Sequence, residues 1–381
     1  MDKTARKRIG ILLVSDDIGV VYYLLSIVKS IGYLNDSEKP EILLLYDSSC
    51  KKFIDLFKYV YLSTHEIEYN KSKKLHYLYS IILHKNLFTQ SIIKQYNLNG
   101  LFPVMDIPVR STNPNCIIAS WIPDLQHKVY PEFFSKRNLF MREARFKKII
   151  DKSDALALSS NDSLRDVKNF YKINKDKIRL HVMPFVSMIQ DINLTEYTEL
   201  VKKYEISTPY FLVSNQFYAH KNHIVVLKAI KELKKSGIAF RVYLTGKTED
   251  YRNPLFYETL TGFIKENDLQ NEAKILGIIP REDQLGLLKN SLAVIQPSKF
   301  EGWSTIIEDA KTMQKQVICS NIDVHKEQMG EKAFYFNPDS FEELTNLMML
   351  FLSGKDVSKP VFNNYDERVK RFATTFVNIF E

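Results

Sequence analysis

The sequence predicts an α/β protein of two doubly wound domains, and three observations carry that prediction. The chain has 381 residues, beyond the size at which one hydrophobic core keeps growing, so two domains of roughly 150 to 200 residues are expected. Apolar runs of strand length alternate with amphipathic segments along the chain, the signature of parallel sheets covered by helices. The composition, 45% hydrophobic and 26% charged with 12 Gly and 13 Pro, excludes collagen-like, disordered and disulfide-framework chains.

In the first half the strand-like runs are 9–15, 41–46, 116–121, 155–159 and 178–183, with helical patterns at 138–152 and 163–171. Residues 53–109 carry no clear pattern of either period. A second, cleaner series follows, with strands at 210–214, 240–245, 274–276, 293–296, 317–320 and 333–336, each followed by a helix-like segment. The polar stretch 190–209, with a short helix at 195–204, reads as a hinge. An amphipathic helix at 364–380 is expected to return to the first domain. The expected division is thus 1–190, a hinge at 191–208, 209–360, and a terminal helix within 361–381. No internal repeat or low-complexity tract is present.

Cys50, Cys116 and Cys319 are far apart in sequence, with no paired spacing of the kind used for zinc or a redox dithiol. Reduced, buried thiols in a cytosolic protein are the expectation. The charged start, 1–8, leads into an apolar run too short for a signal-peptide core, and no run approaches the roughly 18 apolar residues of a membrane span. A soluble or peripheral protein is expected. The formal charge of +8 comes mostly from lysines interleaved with acids, as on a solvated face. The stretch 70–86, with Lys71, Lys73, Lys74, His76, Lys85, Tyr77 and Tyr79, is less mixed, and has two readings: contact with an anionic membrane or acceptor, or an ordinary exposed helix.

In an open parallel sheet, ligands bind beyond the carboxyl ends of the strands. Two such places are rich in chemistry. After the strand ending at Ser214 comes Asn215-Gln216-Phe217-Tyr218-Ala219-His220-Lys221-Asn222-His223, where Lys221 stands before a helix start, a place for a pyrophosphate; taken alone, the lysine reads as an ordinary surface residue. After the strand ending at Gln296 comes Pro297 through Ala310, in which Gly302 allows close backbone approach and Ser304 or Thr305 is a good N-cap. Glu301 precedes that helix and Asp309 lies about one turn inside it, so both carboxylates can grip hydroxyls of one ligand. The plainer reading of Glu308 and Asp309 is a favourable interaction with the helix dipole.

The segment FEGWSTIIEDAKTMQKQVICSNIDVHKEQ at 300–328, with SNQFYAHKNH at 214–223, resembles the retaining family-4 glycosyltransferases of GT-B fold, of the bacterial group 1 type. ASWIPDLQHKVYPEFFS at 119–135 is similar to the acceptor-side domain of a bacterial branch of that family, and Gly277-Ile278-Ile279-Pro280-Arg281 to its loop under the nucleotide base. The likeness runs from about residue 116 to 325. It implies two Rossmann-like domains facing across a cleft, the N-terminal one binding acceptor and the C-terminal one binding nucleotide-sugar. Donor binding then falls to Asn215, Gln216, Lys221, Gly246, Ile278, Ile279, Ser304, Thr305, Glu308 and Asp309. Catalysis falls to Lys221, Glu301 and His127, and acceptor binding to Gly19, Asp124 and His127. The family's paired glutamates align with Glu301 and Asp309, with Glu308 adjacent. Its phosphate-binding arginine is replaced by Gln216, and the glycine and proline after the motif by Gln314 and Gln316. Gly19, after Asp16 and Asp17 at the end of the first strand, resembles the family's glycine-containing acceptor loop, with the usual double glycine absent.

The implied reaction is transfer with retention from a nucleotide-sugar to a saccharide or lipid-linked acceptor in bacterial surface-polysaccharide synthesis. Lys221 and the helix start would stabilise the departing diphosphate, with no metal or cofactor required. Cytoplasmic placement, peripheral to the inner membrane face, follows from that role. The competing reading is a catalytically silent GT-B partner or scaffold that binds nucleotide-sugar. No Gly-x-Gly-x-x-Gly follows any strand, which argues against a dinucleotide oxidoreductase, and no reading motif for nucleic acid is present.

Overall fold

The structure, a computed structural model, describes residues 6–69, 86–105, 113, 115–174, 176–250, 252–355, 357–358 and 362–381. The basic stretch 70–86 therefore lies outside the described residues, apart from Asn86. The chain divides into two compact units. Unit 1 comprises Met1–Val129, Lys136–Met188 and Asn364–Glu381, and unit 2 comprises Tyr130–Ser135 and Ile189–Asn363.

Unit 1 is built on β1 (Arg8–Leu13), β2 (Glu41–Tyr46), β3 (Leu62–Glu66), β4 (Gly100–Phe102), β5 (Ile117–Ile122), β6 (Ala155–Leu158) and β7 (Arg179–Val182). They form one sheet in the order β3-β2-β1-β4-β5-β6-β7, and the pairings are parallel. The central strands are buried on both faces, Ile9, Ile11 and Leu13 being fully enclosed, which is why they read as continuous apolar runs and not as alternating ones. Two strands lie in the stretch that carried no clear pattern. β3 is the polar edge LSTHE and β4 only GLF, too short for a period to register.

The helix Tyr365–Asn378 packs on the helix Ile18–Ile31 of unit 1. Phe376 meets the ring of Phe102 edge-on at 5.6 Å. Phe380 occupies the space over Gly100, where a Cβ would come within 2.1 Å of its ring. The Arg179 guanidinium donates to the Ile379 carbonyl at 2.7 Å, and Lys7 donates to that of Phe380 at 3.0 Å.

Unit 2 holds β8 (Tyr210–Ser214), β9 (Arg241–Thr245), β10 (Ala273–Gly277), β11 (Val294–Gln296), β12 (Val317–Ser320) and β13 (Phe334–Phe336). Their order is β10-β9-β8-β11-β12-β13, again through parallel pairings. Residues 191–208, read as a hinge from their polarity, are packed into this unit. Leu200 joins its core, and Thr195, Lys203 and Tyr204 all donate to the buried Asp283, the lysine at 2.6 Å. Strand order reverses between β8 and β11, which opens a crevice at their carboxyl ends. The two loops rich in chemistry follow these two strands.

Cys50, Cys116 and Cys319 are buried, and none is in a disulfide. Among the described residues no helix is long and apolar enough to cross a membrane.

Candidate active site

Lys221 and Glu301, 80 residues apart in sequence, meet in unit 2: Lys221 Nζ donates to Glu301 Oε1 at 2.6 Å. Only 17% of the lysine side chain and 7% of the glutamate side chain are exposed, so water screens the pair weakly. The same carboxylate oxygen accepts from Gln296 Nε2 at 2.8 Å, and that amide also donates to the Ser304 hydroxyl at 2.9 Å. Gln296 Oε1 in turn accepts from Asn215 Nδ2 at 2.5 Å. The end of β11 thus hydrogen-bonds both neighbouring loops, and each partner fixes the next.

Asn222 secures the loop carrying Lys221. It sits in the left-handed region at φ 56°, which asparagine tolerates better than most residues. Its amide donates to the carbonyls of Pro297 at 3.1 Å and Pro338 at 2.7 Å. Lys299 N donates to the His220 carbonyl at 2.8 Å, adding a backbone link between the β8 and β11 loops.

Ser304 occupies the N-cap of the helix Thr305–Thr312, but its side chain gives that helix no cap. Its hydroxyl serves Gln296 instead, and Thr305 is the first, exposed residue of the helix. The Ser304 amide itself donates to Gln328 Oε1 at 3.3 Å, but the first-turn amides after it receive no oxygen from the N-cap side chain, the condition under which an anion binds there.

The two adjacent carboxylates inside the helix have different partners. Glu308, 1% exposed, accepts from Lys311 at 2.7 Å and from Gln328 at 3.0 Å, within the packing of the helix. Asp309, also 1% exposed, accepts from the Arg281 guanidinium at 2.6 Å, which ties it to the first residue of the helix Arg281–Asn290, just past the loop after β10. Ile278 in that loop is 77% exposed, whereas Ile279 packs against the core. Gln314 ends the helix at φ 57°, a conformation that glycine enters without strain. Its side chain holds the backbone of Phe362 in compensation, donating to the carbonyl at 2.5 Å and accepting from the amide at 2.8 Å.

Gly246, after β9, has φ 142°, and a Cβ there would lie 2.0 Å from the Asn215 carbonyl oxygen. Only glycine lets the β8 and β9 loops approach so closely. Gln216 beside it is exposed.

The remaining candidates belong to unit 1. Gly19 is not in a loop but in the first turn of the helix Ile18–Ile31, where its N–H is capped by Asp17 at 2.9 Å. Asp124 caps the start of a short helix, Gln126–Val129, accepting from Gln126 N at 2.9 Å. His127 on that helix is 3% exposed, packs edge-on to Phe146 at 4.9 Å, and has Nε2 3.5 Å from Glu143. Burial lowers its pKa to about 4, with the Arg142 charge adding to the effect, so the ring is neutral at pH 7.

Four polar residues of unit 2 went unassigned in the sequence: Gln296, Asn222, Gln328 and His325. Gln328 amide hydrogens reach both the Ser304 carbonyl, at 2.8 Å, and Glu308. His325 is fully buried with Nδ1 3.1 Å from the Ser320 hydroxyl, and burial lowers its pKa to about 4. Gln328 and His325 fall inside the quoted motif, but the tertiary contacts that give them roles are not visible in its spacing. Among the described residues, no three His, Cys, Asp or Glu side chains are arranged to hold a metal ion.

Residues 197–371 match the family described as glycosyl transferases group 1. No curated protein matches the chain. Among solved structures, a glycosyltransferase from Rickettsia africae superimposes with a TM-score of 0.66 at 18% identity, covering 98% of this chain and 96% of that one. Sucrose-phosphate synthase from Thermosynechococcus elongatus gives 0.70 at 12% identity, covering 98% of each chain. The Anabaena protein HepE, in complex with UDP and glucose, gives 0.63 at 13% identity, covering 98% of this chain and 96% of that one. The chain thus has the GT-B glycosyltransferase fold, two Rossmann-like units of seven and six strands, and its second unit carries the match to a glycosyltransferase group 1 domain.

Proposed function

We propose that the protein is a retaining, family-4-type glycosyltransferase that moves a sugar from a nucleotide-sugar donor to a saccharide or lipid-linked saccharide in bacterial surface-polysaccharide synthesis. The observation that carries this reading is the Lys221–Glu301 pair beside the uncapped helix start at Ser304. As the glycosidic bond to the donor breaks, negative charge grows on the departing diphosphate. The Lys221 ammonium and the first-turn amides from Thr305 onward meet that charge in fixed positions, the form of stabilisation that acts without reorganisation at the moment of reaction. Glu301, released from the lysine when phosphate takes its place, accepts hydroxyl hydrogens of the transferred sugar.

Asp309, held by Arg281, is assigned to the ribose side, next to the exposed Ile278 of the base loop. Asn215, Gln216 and Gly246 line the donor's approach, while Gly19, Asp124 and His127 are assigned to the acceptor. Retention is assigned to front-face attack, with the leaving phosphate taking the acceptor proton. The group chemistry calls for no metal, and the acceptor class fits a protein working at the inner face of a bacterial membrane.

Thermal shift against UDP-, GDP-, ADP- and dTDP-sugars identifies the donor, and donor turnover compared between wild type and Glu301→Ala tests catalysis. Stabilisation by none of the four would sink the reading. Gln216 at the position of the family's arginine favours one rival, a nucleotide-sugar-binding protein without turnover. That rival predicts donor binding with no hydrolysis or transfer in either protein.

A further inference from the structure

We infer that unit 2 carries a saccharide subsite beside Lys221, in the cavity lined by Glu132, Phe133, His220, Asp250, Arg252 and Asn253, and that one neutral sugar ring of the acceptor occupies it. The inference rests on the glycosyl-transfer reading and names where part of the acceptor is held. All six residues belong to unit 2, because 130–135 is grouped with it.

The cavity measures about 140 Å³, close to the size that encloses one six-membered ring. Its lining combines an aromatic surface with planar polar groups, the combination that orients a ring by its face and its hydroxyls. Phe133 stacks on Tyr130 with centroids 5.3 Å apart, and its ring lies 6.4 Å from that of His220. The Arg252 guanidinium is fixed from two sides. Asp250 binds it through both oxygens, at 2.8 and 3.1 Å, and the Tyr218 ring lies beneath it at 4.2 Å. Asp250 and Arg252 side chains are 3% and 8% exposed, so their positions are set before any ligand enters.

Charge selects the ligand class. Two carboxylates, Glu132 and Asp250, face one guanidinium, and burial holds His220 neutral with its pKa lowered to about 2. A lining with excess negative charge repels phosphate and carboxylate but suits hydroxyls, which donate to carboxylates and accept from guanidinium and amide. His220, 7% exposed, also has no hydrogen-bond partner at Nδ1. Position completes the case. His220 directly precedes Lys221, and its carbonyl is bonded to Lys299 N, so the cavity wall and the lysine loop are one continuous piece of backbone.

Saturation-transfer difference NMR with methyl glucoside, methyl galactoside and methyl N-acetylglucosaminide, each with and without UDP, tests the subsite. The comparison is wild type against the double variant Glu132→Gln, Asn253→Ala, both exposed positions whose change leaves the core untouched. At least one glycoside is expected to bind wild type, with affinity at least fivefold weaker in the double variant and an unchanged thermal shift from nucleotide-sugar. Equal glycoside binding by the two proteins, no binding of any of the three to wild type, or displacement of the glycoside by UDP alone would each overturn the inference. Failure of the donor reading is seen separately, as the absence of any thermal shift from nucleotide-sugars on wild type.

Discussion

The two units place their candidate residues in different ways. In unit 2, Lys221, Glu301, Gln296, Asn215 and Ser304 bond to one another across two loops and a strand end. In unit 1, Gly19 and Asp124 sit at separate helix starts, and His127 is buried against Phe146. A cross-bonded set keeps its geometry when empty, because moving one member breaks the bonds of the next. Locally anchored residues owe their positions to their own helix turns. The candidate site of unit 2 is therefore pre-organised by its own polar groups, a property that mutation can expose.

The largest expected difference is in turnover. Lys221→Met should lower kcat about 10³-fold, and Glu301→Gln about 10²-fold, in a donor-turnover assay. His127→Asn, in unit 1, should cost only about tenfold. A comparable loss from His127→Asn would abolish the contrast between the units. The pair also has a structural signature. Each single change strands a nearly buried charge and should cost about 3 kcal/mol in urea unfolding, whereas the double variant recovers much of that stability without recovering turnover.

The next effect is on acid stability. Burial lowers the pKa of His220 to about 2, His223 to about 3 and His325 to about 4 in unit 2, and in unit 1 that of His127 to about 4 and that of His181 below its ordinary value. A histidine with a folded pKa below its unfolded value takes its proton more readily in the unfolded chain. Its contribution is therefore intact above about pH 6.5 and is lost as pH falls toward the folded value, by about 2 kcal/mol per group at pH 5. Asp166 in unit 1 acts in the opposite direction. Burial and Asp162 raise its pKa to about 6, so it favours the folded state as pH falls from 6 to about 4. Thermal melts from pH 7.5 to 5 should accordingly show unit 2 losing stability faster than unit 1. His325→Gln should flatten the slope by one proton, and an unchanged slope would rule out a neutral buried ring there.

The last of the set is Gly246→Ala. With φ 142° and the Asn215 oxygen 2.0 Å from the added carbon, one loop must move. A loss of about 2 to 4 kcal/mol is expected, together with loss of the thermal shift from nucleotide-sugar. The same change at Gly19, in a helix turn, should leave that shift intact.

Much of unit 2 was legible in the sequence because its strands are buried runs with helices between them, and because Lys221 and Glu301 stand directly after strands. Unit 1 was harder for identifiable reasons. β3 is a polar edge, β4 spans three residues, and Gly19 looked like a loop glycine because strand and helix are separated there by only a few polar residues. The site's internal bonding was not legible at all. Nothing in the spacing of Gln296, Glu301 and Ser304 reveals that one amide serves both of the others, nor that Asn222 reaches two distant prolines. Such contacts depend on the side chains of one strand end meeting loops that follow others, information carried by strand order and not by local pattern.

The return of the final helix to unit 1 has a practical corollary for anyone dissecting the molecule. A fragment stopping after Met188 would uncover the seats of Val369, Phe372 and Phe376 and leave Arg179 without the carbonyl it grips. Expressed alone it should be insoluble, and a synthetic peptide spanning 362–381 should rescue it in trans. The two halves of the gene cannot simply be cut apart between the sheets.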